Sequence, residues 1–223
     1  MKRLLEGKLV KKAVRRLTTL VSRRLWGVEA MILPQLVEQL GPWDALRWFA
    51  RNLPPYERAI RDIGPLRTNL ICCAASMFNG CAYCTYACSY AFELHYFAQY
   101  DKLFPLDDQQ FLSLIQLTDD QVREELDAAL DEAGLSEEKK ILQRLYKIKL
   151  EGAEPKPDEH FLVHAIKMFD DLNFCSIDAQ LSTDEAHDRI NRDGDLRVRY
   201  AKARLEANRR RMRFEEMLEP SSK

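Results

Sequence analysis

The chain has 223 residues and a mass of 26.0 kDa, a length that allows one full-sized domain or two small ones. Hydrophobic residues make up 46% and charged residues 31%, which excludes a disordered chain, collagen, a coiled-coil rod and a membrane-embedded protein. The formal net charge of -1 argues against a polyanion-binding protein, so we expect no nucleic-acid partner. With only 8 glycines and 9 prolines, long helices are favoured, and we predict a single all-α domain over residues 1–223.

The first segment, residues 1–27, is predicted to be a basic amphipathic helix. Residues 1–25 hold nine lysines or arginines against one acid, and apolar residues recur at helical spacing. Such a helix suits an anionic lipid or nucleic-acid surface, an organelle transit segment, or packing on its own protein. We favour packing. The segment has no apolar run like that of a signal peptide, so we expect a cytoplasmic protein without a membrane partner.

Residues 28–175 are predicted to form the helical core. Helices around 28–40 and 43–53 are separated by Gly41-Pro42, and the second should end at Pro54-Pro55, since two prolines remove two backbone donors. Apolar stretches over 70–78 and 81–100 flank the turn dipeptide Asn79-Gly80. The pattern predicts a helical hairpin.

Capping signals place the later helices. Thr118 with Gln121 forms a capping box before an acidic helix, and further helices are expected over 136–150 and 158–172, the last capped by Asp158. Residues 176–223 are predicted to be a charged helical segment. Within it, Ser182 and Glu185 are predicted to form a second capping box, and a last helix is predicted from about 195 to 218.

The cysteines cluster, because five of the six lie between positions 72 and 88. On a helix, Cys81, Cys84 and Cys88 fall within a stripe roughly 60° wide. If Asn79 caps this helix, Cys81 lies in its first turn, where free N–H groups and the helix dipole lower a thiol pKa. A Cys-x-x-Cys there can attack an oxidant or disulfide with one thiolate and resolve the product with the other.

Other interpretations of the cysteines remain open. Cys72, Cys73 and Cys175 fit the role of small hydrophobes in a core. Thiolates at this spacing can also ligate zinc or an iron–sulfur cluster, but the second cysteine pair of such sites is absent. A structural disulfide is seldom used in the cytoplasm. We therefore predict no metal and no cofactor.

The segment Asn79-Gly80-Cys81-Ala82-Tyr83-Cys84 and its flanking apolar helices, about residues 65–97, resemble the AhpD-like (alkyl hydroperoxidase D / carboxymuconolactone decarboxylase) family. The resemblance implies an all-helical protein that assembles into trimers or hexamers and reduces peroxides at the cysteine pair. It implies that Cys84 attacks the peroxide and that Cys81 resolves the product. Decarboxylase activity is the weakest implication, because decarboxylating relatives do not need the cysteine pair.

Two positions depart from the family pattern. Active members carry a histidine four residues after the second cysteine and a glutamate twelve before the first, and here these positions are Cys88 and Asn69. Neither is a suitable proton carrier near neutral pH. Two residues are candidates to take the place of the missing proton carriers. One is Cys88, acting as a third redox thiol, and the other is His95. His95 lies two turns beyond Cys88, about 10 Å along the axis, so we expect a core or interface histidine instead.

The predicted function is thiol-dependent oxidoreduction of a hydroperoxide or disulfide, with an unidentified reductant, by a homo-oligomer. The alternatives are a catalytically inactive AhpD-like binding or scaffold protein, and a thiolate metal site. His160 and His164 stand four residues apart beside Glu159, but the sequence offers no third ligand for a metal. Nucleotide-binding and serine-hydrolase signatures are absent.

Overall fold

The computed structural model describes residues 2–183 and 185–218, and it describes side chains over 7–183 and 185–211. The ends of the predicted single domain, residues 1 and 219–223, lie outside the described residues. Within them the fold is all-helical, with ten α-helices and two short 3₁₀ turns. The helices are α1 Lys2–Trp26, α2 Ile32–Leu40, α3 Pro42–Ile63, α4 Pro65–Phe78, α5 Ala82–Tyr100, α6 Asp108–Leu114, α7 Asp119–Glu132, α8 Ser136–Lys149, α9 His160–Asp178 and α10 Gly194–Leu218.

The predicted hairpin of α4 and α5 forms the centre of the molecule. Residues 68–77 of α4 are all buried, because α3, α5, α8 and α9 each contact this helix. Aromatic side chains fill the space beyond it, with Phe92 edge-on to Phe104 and Phe111. This continuous apolar core holds α5, and with it the cysteine segment, rigidly against α4 and α9.

The N-terminal helix packs on the body of the protein, as expected. Val14 of α1 joins Val37 of α2 and Ala45 of α3 in a small apolar cluster. Ser22 is fully buried, and its hydroxyl accepts the N–H of Ala30 at 3.3 Å. None of the described helices combines the length and the apolar character that crossing a bilayer requires.

The prediction that Pro54-Pro55 ends a helix is wrong, because α3 continues through both prolines to Ile63. The two missing N–H groups would have bonded to the carbonyls of Ala50 and Arg51, and both of these residues are exposed. Those carbonyls can therefore be hydrated, which lowers the cost of the two lost hydrogen bonds.

Two predicted caps are also wrong. The described residues between 181 and 188 are not helical, so Ser182 and Glu185 cap nothing; α10 begins only at Gly194. Asp158 lies inside a 3₁₀ turn that precedes α9, and α9 continues past 172 to Asp178. By contrast, Thr118 and Gln121 form the predicted capping box at the start of α7.

The C-terminal segment is part of the core and not an appendage. It packs against α5 through an apolar cluster that includes Leu94, Phe97 and Tyr200. Arg204 of α10 lies 2.6 Å from the buried carboxyl group of Glu93 and donates to the carbonyl of Phe104 at 2.9 Å. These contacts bring the loop between α9 and α10 to the cysteine end of α5.

Candidate functional site

The Cys-x-x-Cys segment lies at the junction of α4 and α5. Gly80, at φ +69°, reverses the chain after α4 and donates to the carbonyl of Met77 at 2.9 Å. Cys81 follows in an extended conformation and is itself the N-cap of α5, so the prediction that Asn79 caps this helix is wrong. The Cys81 sulfur accepts the backbone N–H of Cys84 at 3.4 Å.

Both sulfurs of the pair contact one serine on α9. The hydroxyl oxygen of Ser176 lies 2.9 Å from the sulfur of Cys81 and 3.6 Å from that of Cys84. The thiol of Cys84 also hydrogen-bonds to Cys81. The two sulfurs are therefore neighbours in the reduced protein, as formation of a disulfide requires.

The pair shares its protons unequally. The hydrogen bond from Cys84, together with those from Ser176 and the backbone, lowers the pKa of Cys81 to about 7 despite burial. The same bond and burial raise the pKa of Cys84 well above its usual value. The first proton lost from the pair therefore leaves a thiolate on Cys81, at the positive end of α5.

Three cysteines outside the pair have raised thiol pKa values. A hydrogen bond with Cys72 and burial raise the pKa of Cys88 well above its usual value. Burial does the same for Cys73, and it raises the pKa of Cys175 to about 11. All six thiols are buried and reduced. Cys88, predicted as a third redox thiol, is thus poorly suited to form a thiolate.

An apolar cavity of about 50 Å³ borders the pair. Cys84, Cys88, Asn69 and Tyr56 line one side of it, and Cys81 is not among its lining residues. Apolar side chains from α2, α3 and α9 supply most of the rest: Ile32, Leu33, Trp48, Leu53, Met168, Phe169 and Leu172. The volume suits a group the size of one or two water molecules, such as the O–O end of a hydroperoxide.

His187 also lines this cavity, although it lies more than 100 positions along the chain from Cys84. Its ring stacks on Trp26 with 5.6 Å between centroids, and its Nε2 lies 3.1 Å from the hydroxyl of Tyr83. That hydroxyl accepts the N–H of Ile32 at 3.3 Å. The sequence does not reveal His187 as a site residue, because the pattern of a polar loop does not indicate which distant residues the loop contacts.

The neighbouring Asp188 supplies a buried carboxylate beside Asn69. Its oxygens accept from Asn69 Nδ2 at 3.0 Å and from the N–H of Ile190 at 2.8 Å, and one lies 3.0 Å from His95 Nε2. Burial opposes ionisation, but the bonds from His95, Ile190 and Asn69 lower the pKa of Asp188 below its usual value. His95 thus binds Asp188, and it does not line the cavity.

The thiolate metal site finds no support in the part of the chain that the structure describes. No group of three or more histidine, cysteine or acidic side chains there is arranged to hold a metal ion. His160 is exposed and His164 is half-buried on α9. Burial lowers the pKa of His164, and the positive charge of His160 adds to this effect.

The comparisons with known proteins identify no relative. No family model, curated protein or solved structure matches the chain. The site must therefore be interpreted from its own geometry.

Proposed function

We propose that the protein is a thiol-dependent oxidoreductase that reduces a hydroperoxide at the Cys81–Cys84 pair, the activity implied by the AhpD-like resemblance. The observation that carries the proposal is the pair itself. Two neighbouring thiols share a proton at a helix N-terminus, and one of them borders a cavity. The homo-oligomeric state implied by the same resemblance stays a prediction.

The cysteine that borders the cavity is not the cysteine with the lower pKa. Transfer of a proton between the two thiols moves the negative charge to the one at the cavity. Cys84 borders the cavity, whereas Cys81 carries the first negative charge. Transfer of the Cys84 proton to Cys81, along the hydrogen bond between them, produces a thiolate facing the cavity. Cys81 then acts first as a base and later as the resolving thiol.

The reaction balances with one proton from the surroundings. The Cys84 thiolate attacks the terminal oxygen of the hydroperoxide, forming an S–O bond and breaking the O–O bond, and an alkoxide leaves. Protonation of the alkoxide gives an alcohol and leaves a sulfenic acid on Cys84. The Cys81 sulfur attacks this sulfur, and its proton leaves with hydroxide as water. An external dithiol then reduces the disulfide.

His187 is the group that we assign to protonation of the alkoxide. It lines the same cavity as Cys84, and a protonated ring nitrogen of an imidazole can donate to an oxygen anion. Asp188 follows it in the chain and is anchored by Asn69, His95 and Ile190, which fixes the position of His187. The loop between α9 and α10 would thereby replace the histidine and the glutamate that the family places near the cysteines.

The scaffold hypothesis is the second candidate, and the small volume of the cavity favours it. Cys84 is only 5% exposed, and a volume of about 50 Å³ does not hold a bulky alkyl group. A scaffold would require neither the shared proton nor the histidine at the cavity.

Turnover of a small hydroperoxide with dithiothreitol as reductant distinguishes the two candidates. We expect the purified full-length protein to consume peroxide catalytically, and Cys81→Ser and Cys84→Ser each to lose at least about 100-fold in rate. Cys175→Ser, which removes a buried thiol of α9 outside the pair, should retain activity. Peroxide consumption that does not differ between the wild type and Cys84→Ser would exclude the proposal in favour of the scaffold.

A further inference from the structure

The outward face of α1 combines exposed leucines with unpaired cations. Leu9, Leu17 and Leu20 are 67%, 51% and 63% exposed. At about 100° per residue they lie within about 80° of one another, opposite the side on which Val14 and Ser22 are buried. The helix therefore has two apolar sides, and its own protein covers only one of them.

Some cations of α1 form ion pairs within the described part of the protein, and others do not. Lys11 and Arg15 pair with Glu38 of α2, and Arg23 pairs with Glu29. Four other cations of this helix make no side-chain ion pair with any described residue: Lys8, Lys12, Arg16 and Arg24. The groove between α1 and α2, about 710 Å³, is lined by six cations and one carboxylate. The unpaired Lys12 and Arg16 line this groove beside Leu20, so the edge of the leucine face is positively charged.

Leucines flanked by lysine and arginine on one exposed helix face are suited to the interface of an anionic bilayer. Leucines enter the acyl boundary while the cations meet lipid phosphates. A nucleic acid suits the face less well, because the described side chains there include no aromatic ring for stacking, and Trp26 is stacked on His187.

A second copy of the chain also suits the face less well. Its acidic helix α7 offers carboxylates, but no large hydrophobic residue of α7 is exposed among the described residues. Docking α1 on α7 would pair the charges and leave the leucines in water. We propose that the outward face of α1 binds the surface of membranes rich in anionic phospholipid, without crossing them. This inference does not depend on the redox chemistry.

The test is flotation of the full-length protein with vesicles of phosphatidylcholine alone or mixed with phosphatidylserine. We expect binding to the mixed vesicles, little binding to phosphatidylcholine alone, and release at high salt. Lys12→Gln with Arg16→Gln should weaken binding about 25-fold, at about fivefold for each lost cation. The matched control is Lys202→Gln with Arg209→Gln on α10, both exposed.

A second variant tests the apolar component. Replacing Leu9, Leu17 and Leu20 together by serine should reduce binding at least about tenfold. Its control is Val198→Ser with Leu205→Ser on α10, which are 56% and 52% exposed. Circular dichroism checks that each variant stays folded.

Three results would overturn the proposal. The first is equal binding of the wild type to neutral and anionic vesicles. The second is binding that survives both α1 variants. The third is self-association in solution that both variants abolish, without vesicle binding, which would assign the face to a contact between copies.

Discussion

Removal of the Ser176 hydroxyl should raise the pKa of Cys81. The oxygen lies 2.9 Å from the Cys81 sulfur, and a hydrogen bond to a charged group contributes about 1.5–3 kcal/mol. At about 1.4 kcal/mol per pKa unit, Ser176→Ala should shift the pKa by about one to two units. From about 7 it should therefore rise to about 8–9.

The size of this shift depends on which acceptor receives the single hydroxyl proton of Ser176. The same hydroxyl lies 3.0 Å from the carbonyl of Leu172, one turn back in α9, and can donate to that oxygen instead. A Cys81 thiolate has no proton to give, so it contacts Ser176 favourably only as an acceptor. The pKa shift therefore measures whether the serine donates to the thiolate.

Ultraviolet absorbance of the thiolate against pH, recorded on the reduced protein, measures this pKa. The transition near neutral pH is assigned to Cys81 by its loss in Cys81→Ser. Ser89→Ala is the matched control, because Ser89 is a buried serine of α5 whose hydroxyl donates to the carbonyl of Tyr86, away from the cysteine pair. A shift in Ser176→Ala no larger than that in Ser89→Ala would refute the reasoning.

Three further predictions concern the histidine, a buried carboxyl and the core. His187→Gln should slow peroxide reduction by at least about 100-fold in rapid-mixing experiments, with the Cys81 pKa unchanged; an unaltered rate would remove His187 from the mechanism. Burial raises the pKa of Glu93 to about 8 from 4.5, although the charge of Arg204 and the hydrogen bonds from Tyr200 and Arg204 oppose this rise. The folded state then holds a proton that the unfolded state releases, so stability should fall as pH rises across this range, by at most about 5 kcal/mol. Urea unfolding should show a flatter pH dependence for Glu93→Gln, and an unchanged slope would contradict the assignment. Phe111→Ala should lower the free energy of unfolding by about 3–5 kcal/mol in the same assay, and a loss below about 1 kcal/mol would mean that the site collapses around the cavity.

The parts of the fold that the sequence predicted are those set by local chemistry. The Thr118 capping box, the turn at Gly80 and the apolar runs of α4 and α5 depend on neighbours a few residues apart. The position of Cys81 at a helix start follows from the same local signals, although the cap is Cys81 and not Asn79.

The features that could not be predicted from the sequence are those decided by tertiary contacts. Pro54 and Pro55 stay helical because α3 packs on α2, α4 and α9, and because Ala50 and Arg51, whose carbonyls lose their donors, are exposed residues. His187 and Asp188 reach the site because α10 packs on α5 over a separation of about 100 residues. No spacing rule links residues that far apart, so the histidine at the cavity could not be predicted from the sequence.

The most direct test of the central claim is the identity of the disulfide formed in a glutathione redox buffer. Intact mass and peptide mapping, after rapid alkylation of free thiols, determine which cysteines pair. We expect a single disulfide between Cys81 and Cys84, formed equally in Cys88→Ser, with the other thiols alkylated only after unfolding. A protein that keeps all six thiols across the oxidising range, or that pairs Cys88 instead, would contradict this expectation.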